Sequence, residues 1–138
     1  MKLKLSTTQN KITWFAQLLA VVIMFQTLFF KFTGAEESIY IFTKVGIEPI
    51  GRYGSGIAEL IACLLLLIPS LSWLGATIGA GIMAGAILSH VTILGISVKN
   101  DGGYLFALAI ITMISCLVVL FIRKHDIPYI NKLIDPTR

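Results

Sequence analysis

Four long apolar runs dominate the chain: residues 12–30, 54–68, 73–94 and 103–122. A helix needs roughly 20 mostly apolar residues to cross a bilayer core. The first run is interrupted only by the amides Gln17 and Gln26. The second carries one acid, Glu59, the third has His90 near its end, and the fourth holds no Asp, Glu, Lys, Arg or His. The second run is short, so its helix is expected to extend at both ends. The predicted spans are about 12–32, 53–70, 73–95 and 103–122. Of the 138 residues, 57% are hydrophobic and 13% charged, with a mean hydropathy of +0.89. Soluble domains sit near 45–50% apolar and about 25% charged. That excludes an ordinary soluble enzyme, a disordered chain and a conventional nucleic-acid binder. The expected fold is all-α: a transmembrane four-helix up-down-up-down bundle, forming a single integral-membrane domain over 1–138. The first run exceeds the roughly 7–15 residues of a signal-peptide core, so it is expected to stay attached.

The connections differ in length. Pro69-Ser70-Leu71-Ser72 is a tight uncharged turn, which makes the second and third spans a hairpin. Lys99-Asn100-Asp101-Gly102 is a second tight turn, and Asn, Asp and Gly tolerate the backbone angles such turns need. The first connection is longer. Within it, residues 35–45 carry Ile39, Ile41, Phe42 and Val45, with Glu36 and Glu37 in the first turn and Gly46 as a stop. This pattern predicts a short amphipathic helix at the membrane surface, capped by Thr33 or Gly34.

An even number of spans places both termini on one side. The terminal flanks hold Lys2, Lys4, Lys11, Arg123, Lys124, Lys132 and Arg138 against Asp126 and Asp135. The other side holds Lys31, Lys44, Arg52 and Lys99 against Glu36, Glu37, Glu48 and Asp101. Excess Lys and Arg mark cytoplasmic flanks. Both termini are therefore expected in the cytoplasm and the chain in the inner membrane of a bacterium. The pI near 9.2 reads as topology and attraction to the lipid bilayer, with no nucleic-acid partner.

Up-and-down topology has a geometric consequence. The end of span one, the start of span two, the end of span three and the start of span four share one face. Lys31, Glu59, His90 and Asp101 thereby form a candidate polar cluster at the extracytoplasmic end. Glu59 lies inside an apolar run, where an unpaired carboxylate is costly. Lys31 is its best partner, and His90 the second. A buried ion pair tying two helices together is one reading. A proton or ligand site is the other. His125 falls on the opposite face from His90, so the two cannot share a haem. Glu59 and His90 offer only two ligands, so no metal site is expected.

Cys63 and Cys116 lie in apolar runs without CxxC spacing, and buried thiols are usually small hydrophobes. Span three repeats small residues every four positions: Gly75 and Gly79, Gly81 and Gly85, and Ala76, Ala80 and Ala84. Such residues let helices approach closely. They point to packing within the bundle, or to a homo-oligomer interface.

The chain resembles the DoxX family of small membrane proteins. The resemblance covers roughly residues 14–124. It rests on Gln26-Thr27-Leu28-Phe29-Phe30-Lys31-Phe32-Thr33-Gly34, Gly54-Ser55-Gly56-Ile57-Ala58-Glu59-Leu60, Ser89-His90, and Asn100-Asp101-Gly102-Gly103-Tyr104, in that order. It implies a four-helix bundle in the cytoplasmic membrane. The family takes its name from a small subunit of a thiosulfate:quinone oxidoreductase, and other members are associated with redox and oxidative-stress systems.

The expected function is an accessory or quinone-facing subunit of a membrane redox system. Gln26, Lys31, Glu59 and His90 form its candidate pocket for a quinone or small anion. No autonomous catalytic motif is present, no intrinsic cofactor is expected, and electron transfer would belong to a bound quinone or a redox partner subunit. A structural or assembly protein that docks a partner through residues 36–45 is the alternative. A small-solute or proton transporter comes third, because the half near the termini offers only Gln17, Thr77 and Ser115 to line a path.

Overall fold

The computed structural model describes residues 4–134. Among them every regular element is helical. Lys2, Asp135 and Arg138 of the charge count lie outside this range.

Helix α1 runs Thr7–Thr33. It begins ahead of the apolar run because Ser6 and Gln9 form a capping box. Ser6 Oγ accepts the Gln9 N–H, and Gln9 Oε1 accepts the Ser6 N–H, each at 3.1 Å. Gly34, with φ of 67°, ends it in the left-handed conformation that glycine adopts without a Cβ penalty. Helix α2, Glu36–Val45, is the amphipathic segment, and Gly46 stops it as expected. The expected cap is not found. Ala35 occupies that position without a side-chain bond, and Thr33 instead returns its hydroxyl to the Phe29 carbonyl at 2.6 Å within α1.

Helix α3, Ile50–Leu66, starts and ends a few residues earlier than the predicted span. It bends from α2 by 111°. Helix α4, Ser72–Ser89, passes into a π-helical turn over His90–Leu94, which replaces the expected α-helical end of span three. The His90 ring spans that turn, donating from Nδ1 to the carbonyl of Gly95, which ends it, at 2.9 Å. Helix α5, Tyr104–Ile122, follows a turn in which Lys99 and Asn100 have positive φ. A 3-10 turn, Lys124–Asp126, leads into α6, Pro128–Ile134, a helix without a clear sequence signature.

Among the described residues, three helices are long and apolar enough to cross a membrane, or four if α2 and α3 form one bent span. They pack in a ring: α1 touches α3 and α5, and α4 touches the same two. Small side chains, including Ala16, Ala20, Ala62, Cys63, Ala76 and Cys116, make up most of the interior, beside Met24, Leu66, Met83 and Val119. Bulky apolar groups face outward, with Phe15 71% and Phe121 72% exposed. An apolar exterior around a small-residue, partly polar interior is the arrangement that lipid favours and water does not.

Two glycines set the helix spacing. A Cβ on Gly75 would come within 2.7 Å of the Leu66 backbone nitrogen and 2.8 Å of the Ala62 carbonyl. A Cβ on Gly79 would meet Cys116 Sγ at 2.9 Å. These members of the small-residue pattern pack inside the bundle. Gly81 and Gly85 have open space beside them.

Candidate functional site

The end of the bundle beneath α2 holds a cavity of about 490 Å³. Its walls come from the C-terminal part of α1, the N-terminal part of α3, the last turns of α4 with the π turn, and the first turns of α5. Helix α2 covers it with Glu37, Ser38, Ile41, Phe42 and Val45. Most of the wall is apolar, which suits a ligand with a hydrocarbon body.

The polar groups converge on one ion pair. Lys31 Nζ meets Glu59 Oε1 at 2.5 Å, although Glu59 is only 1% exposed. The Thr27 hydroxyl lies 3.1 Å from Glu59 Oε2 and 2.8 Å from the Met24 carbonyl. Lys31 Nζ also sits 5.7 Å from the centre of the Phe42 ring on α2. The carboxylate is thus held by a cation and within reach of a hydroxyl, as a buried charge requires.

His90 lines the same cavity and packs edge-on to Phe106 at 5.5 Å. A carbonyl can only accept, so the ring must carry its proton on Nδ1 to bond Gly95. In the neutral imidazole this leaves the Nε2 lone pair to accept from a ligand.

Of the residues singled out from sequence, Gln26, Lys31, Glu59 and His90 all line this cavity. Asp101 does not. Its carboxylate turns into the loop and accepts the N–H groups of Val98, Gly103 and Leu105 at 3.0, 2.8 and 3.2 Å. Partial burial pushes its pKa up. The three N–H donors and the nearby His90 outweigh that, so the acid sits below its ordinary value. Asp101 is a structural group that closes the turn and starts α5. Among the described residues no cluster of metal-ligating side chains occurs.

Two residues around the site were not singled out from sequence. Thr27 precedes Lys31 by one helical turn, which is the spacing that could have revealed it. Arg52, only 5% exposed, donates from Nη1 to the Lys31 carbonyl and from Nε to Glu48 Oε1 at 2.9 Å. It therefore supplies a partner to the carbonyl end of α1. Glu48, four residues earlier, is the corresponding sequence signal.

A second polar network closes the opposite end of the bundle. Arg123 Nε lies 3.3 Å from Thr13 Oγ1 and 3.2 Å from Gln17 Oε1, and Nη1 donates to the Pro69 carbonyl at 3.3 Å. Gln17 Nε2 donates to the Leu66 carbonyl at 2.6 Å. The Leu66 carbonyl ends α3 and Pro69 lies in the turn that follows, so Gln17 and Arg123 together hold the α3–α4 connection. Read from sequence, Arg123 is only a flanking charge. Cys63 and Cys116 are free thiols buried in the core.

No protein-family model matches the chain, and neither a curated protein nor a solved structure is significantly similar to it.

Proposed function

We propose that the chain is a four-span, up-down-up-down protein of the cytoplasmic membrane, with both termini cytoplasmic, that binds a quinone beneath α2 as an accessory subunit of a membrane redox system of the DoxX kind. The observation that carries this reading is the cavity: apolar walls of about 490 Å³ around the Lys31–Glu59 pair and His90. Helix ends of alternating sense line it, which supports the up-and-down topology. A neutral ring compound suits it better than a small anion. The lining has two carboxylates, Glu37 and Glu59, against one ammonium, Lys31, which Glu59 already neutralises.

The test is binding of a short-chain quinone to the purified full chain in lipid nanodiscs, followed by isothermal titration calorimetry. Saturable binding is expected, weakened at least about tenfold by Gly85→Leu, which would fill open space in the wall. Absence of saturable binding to the unmodified chain would discard the reading.

A second reading, a protein that docks a membrane partner, is favoured by α2 itself. It presents Ile39 and Tyr40 outward while packing its other face on the bundle. Deleting residues 36–45 would then release every copurifying partner. A transport path draws less support, because Thr13, Gln17 and Arg123 bond one another across the far end.

A further inference from the structure

The bundle end away from α2 carries a second cavity, of about 360 Å³, between the start of α1 and the end of α5. Its chemistry is unlike that of the first. Lys4, Lys124 and His125 supply its ionisable groups, and among the described residues no acid lines it. The nearest acid in sequence, Asp126, turns to Arg123 at 3.6 Å. Gln9 adds an amide whose oxygen is occupied by the Ser6 N–H, leaving its NH₂ group to donate. The remaining wall is apolar: Leu5, Phe121 and Ile122. Lys124 Nζ stands 4.9 Å from the centre of the Phe121 ring, and that ring is 72% exposed. Cationic donors and outward apolar surface therefore adjoin.

We infer that this cavity seats the phosphate of an anionic phospholipid, with its acyl chains lying along Phe121 and Ile122. The inference rests on the membrane reading above. Two lysines without an acid in the lining favour a phosphate oxygen, and the adjoining hydrocarbon wall favours a lipid over a free anion. The position is that of a headgroup, since the site lies at the end of the apolar helix α5 and beside the polar first turn of α1.

The experiment uses the full chain reconstituted in phosphatidylcholine vesicles containing phosphatidylglycerol. Trp14 and Trp73, its two tryptophans, lie at this end and report on it. Each adjoins a residue or turn bonded by Arg123 or next to it, namely Thr13 and the turn through Pro69. Bromine is placed on one lipid and then on the other, and fluorescence quenching gives the preference between them. Phosphatidylglycerol is expected to be preferred, and the preference to fall about fivefold for each of Lys4→Gln and Lys124→Gln. Lys44→Gln, on exposed α2 at the other end, should leave it unchanged. A preference that survives the Lys4→Gln/Lys124→Gln double variant overturns the inference, as does equal loss in Lys44→Gln, which would mean general surface attraction. Equal quenching by the two lipids, with inorganic phosphate bound by the unmodified chain in detergent and not by the Lys4→Gln/Lys124→Gln double variant, overturns the lipid as occupant and assigns the site to free phosphate. Equal quenching by the two lipids overturns this inference alone. No quenching by either overturns the membrane reading with it.

Discussion

Lys31 and Glu59 are 28 residues apart in the chain and meet at 2.5 Å in the structure. The pair joins α1 to α3 beside a cavity, so it serves the fold whatever else it serves. Removing one member of a buried pair leaves the other uncompensated, at a cost of about 3–5 kcal/mol. Lys31→Met and Glu59→Leu should each lower thermal stability in detergent by that order. The double variant should recover much of the loss. Equal, additive losses would show that the two side chains act independently.

The small-residue pattern on α4 divides into packing and open positions. Gly75→Ala places a methyl group against α3 backbone and should destabilise the bundle by about 1–3 kcal/mol. Gly85→Ala meets nothing within 4 Å and should be neutral, or slightly stabilising through better helix propensity. Thermal denaturation of the two variants side by side tests the division.

Arg123 organises the far end. Arg123→Met removes the donor that reaches the Pro69 carbonyl and the shared oxygen partners on α1. A loss of about 1–3 kcal/mol is expected, the cost of a buried polar group left unmatched. Lys124→Met, one residue on and outside that network, should cost far less.

Asp101 links a turn to acid stability. Its native pKa lies below its ordinary value of 3.8 because N–H donors favour the carboxylate. A group with a depressed native pKa stabilises the fold fully above its unfolded value, and the contribution fades as pH falls through the native one. Unfolding followed from pH 6 downward should therefore show a loss beginning near pH 3.8 that Asp101→Asn lacks. The variant should already be weaker at neutral pH, by about 1 kcal/mol or less.

The helices were legible because apolar run length is a local property. Gly46 and the Asn100-Asp101-Gly102 turn were legible for the same reason: their backbone angles depend on their own side chains. Lys31–Glu59 was also within reach, since a lone carboxylate in an apolar run demands a cation at its own depth. The bonding of Asp101 was not legible, because depth alone cannot say whether a carboxylate faces a cavity or the N–H groups of its own loop, and here the nearer donors take it. The early start of α1 turned on a capping box among polar residues, which hydropathy does not weigh.

Sequence by itself determined the all-helical, membrane-length character of this protein, its principal turns and the burial of Glu59, since hydropathy, turn chemistry and helical rise act over a few residues. Only the tertiary structure decided which carbonyls Arg52 and Arg123 satisfy, that α2 folds back over the bundle end, that α4 gives way to a π turn at His90, and that the space between Gln26, Lys31, Glu59 and His90 stays open. Those outcomes depend on how far apart the helices settle. That distance is set by the small residues between them and the large ones turned out to the surroundings.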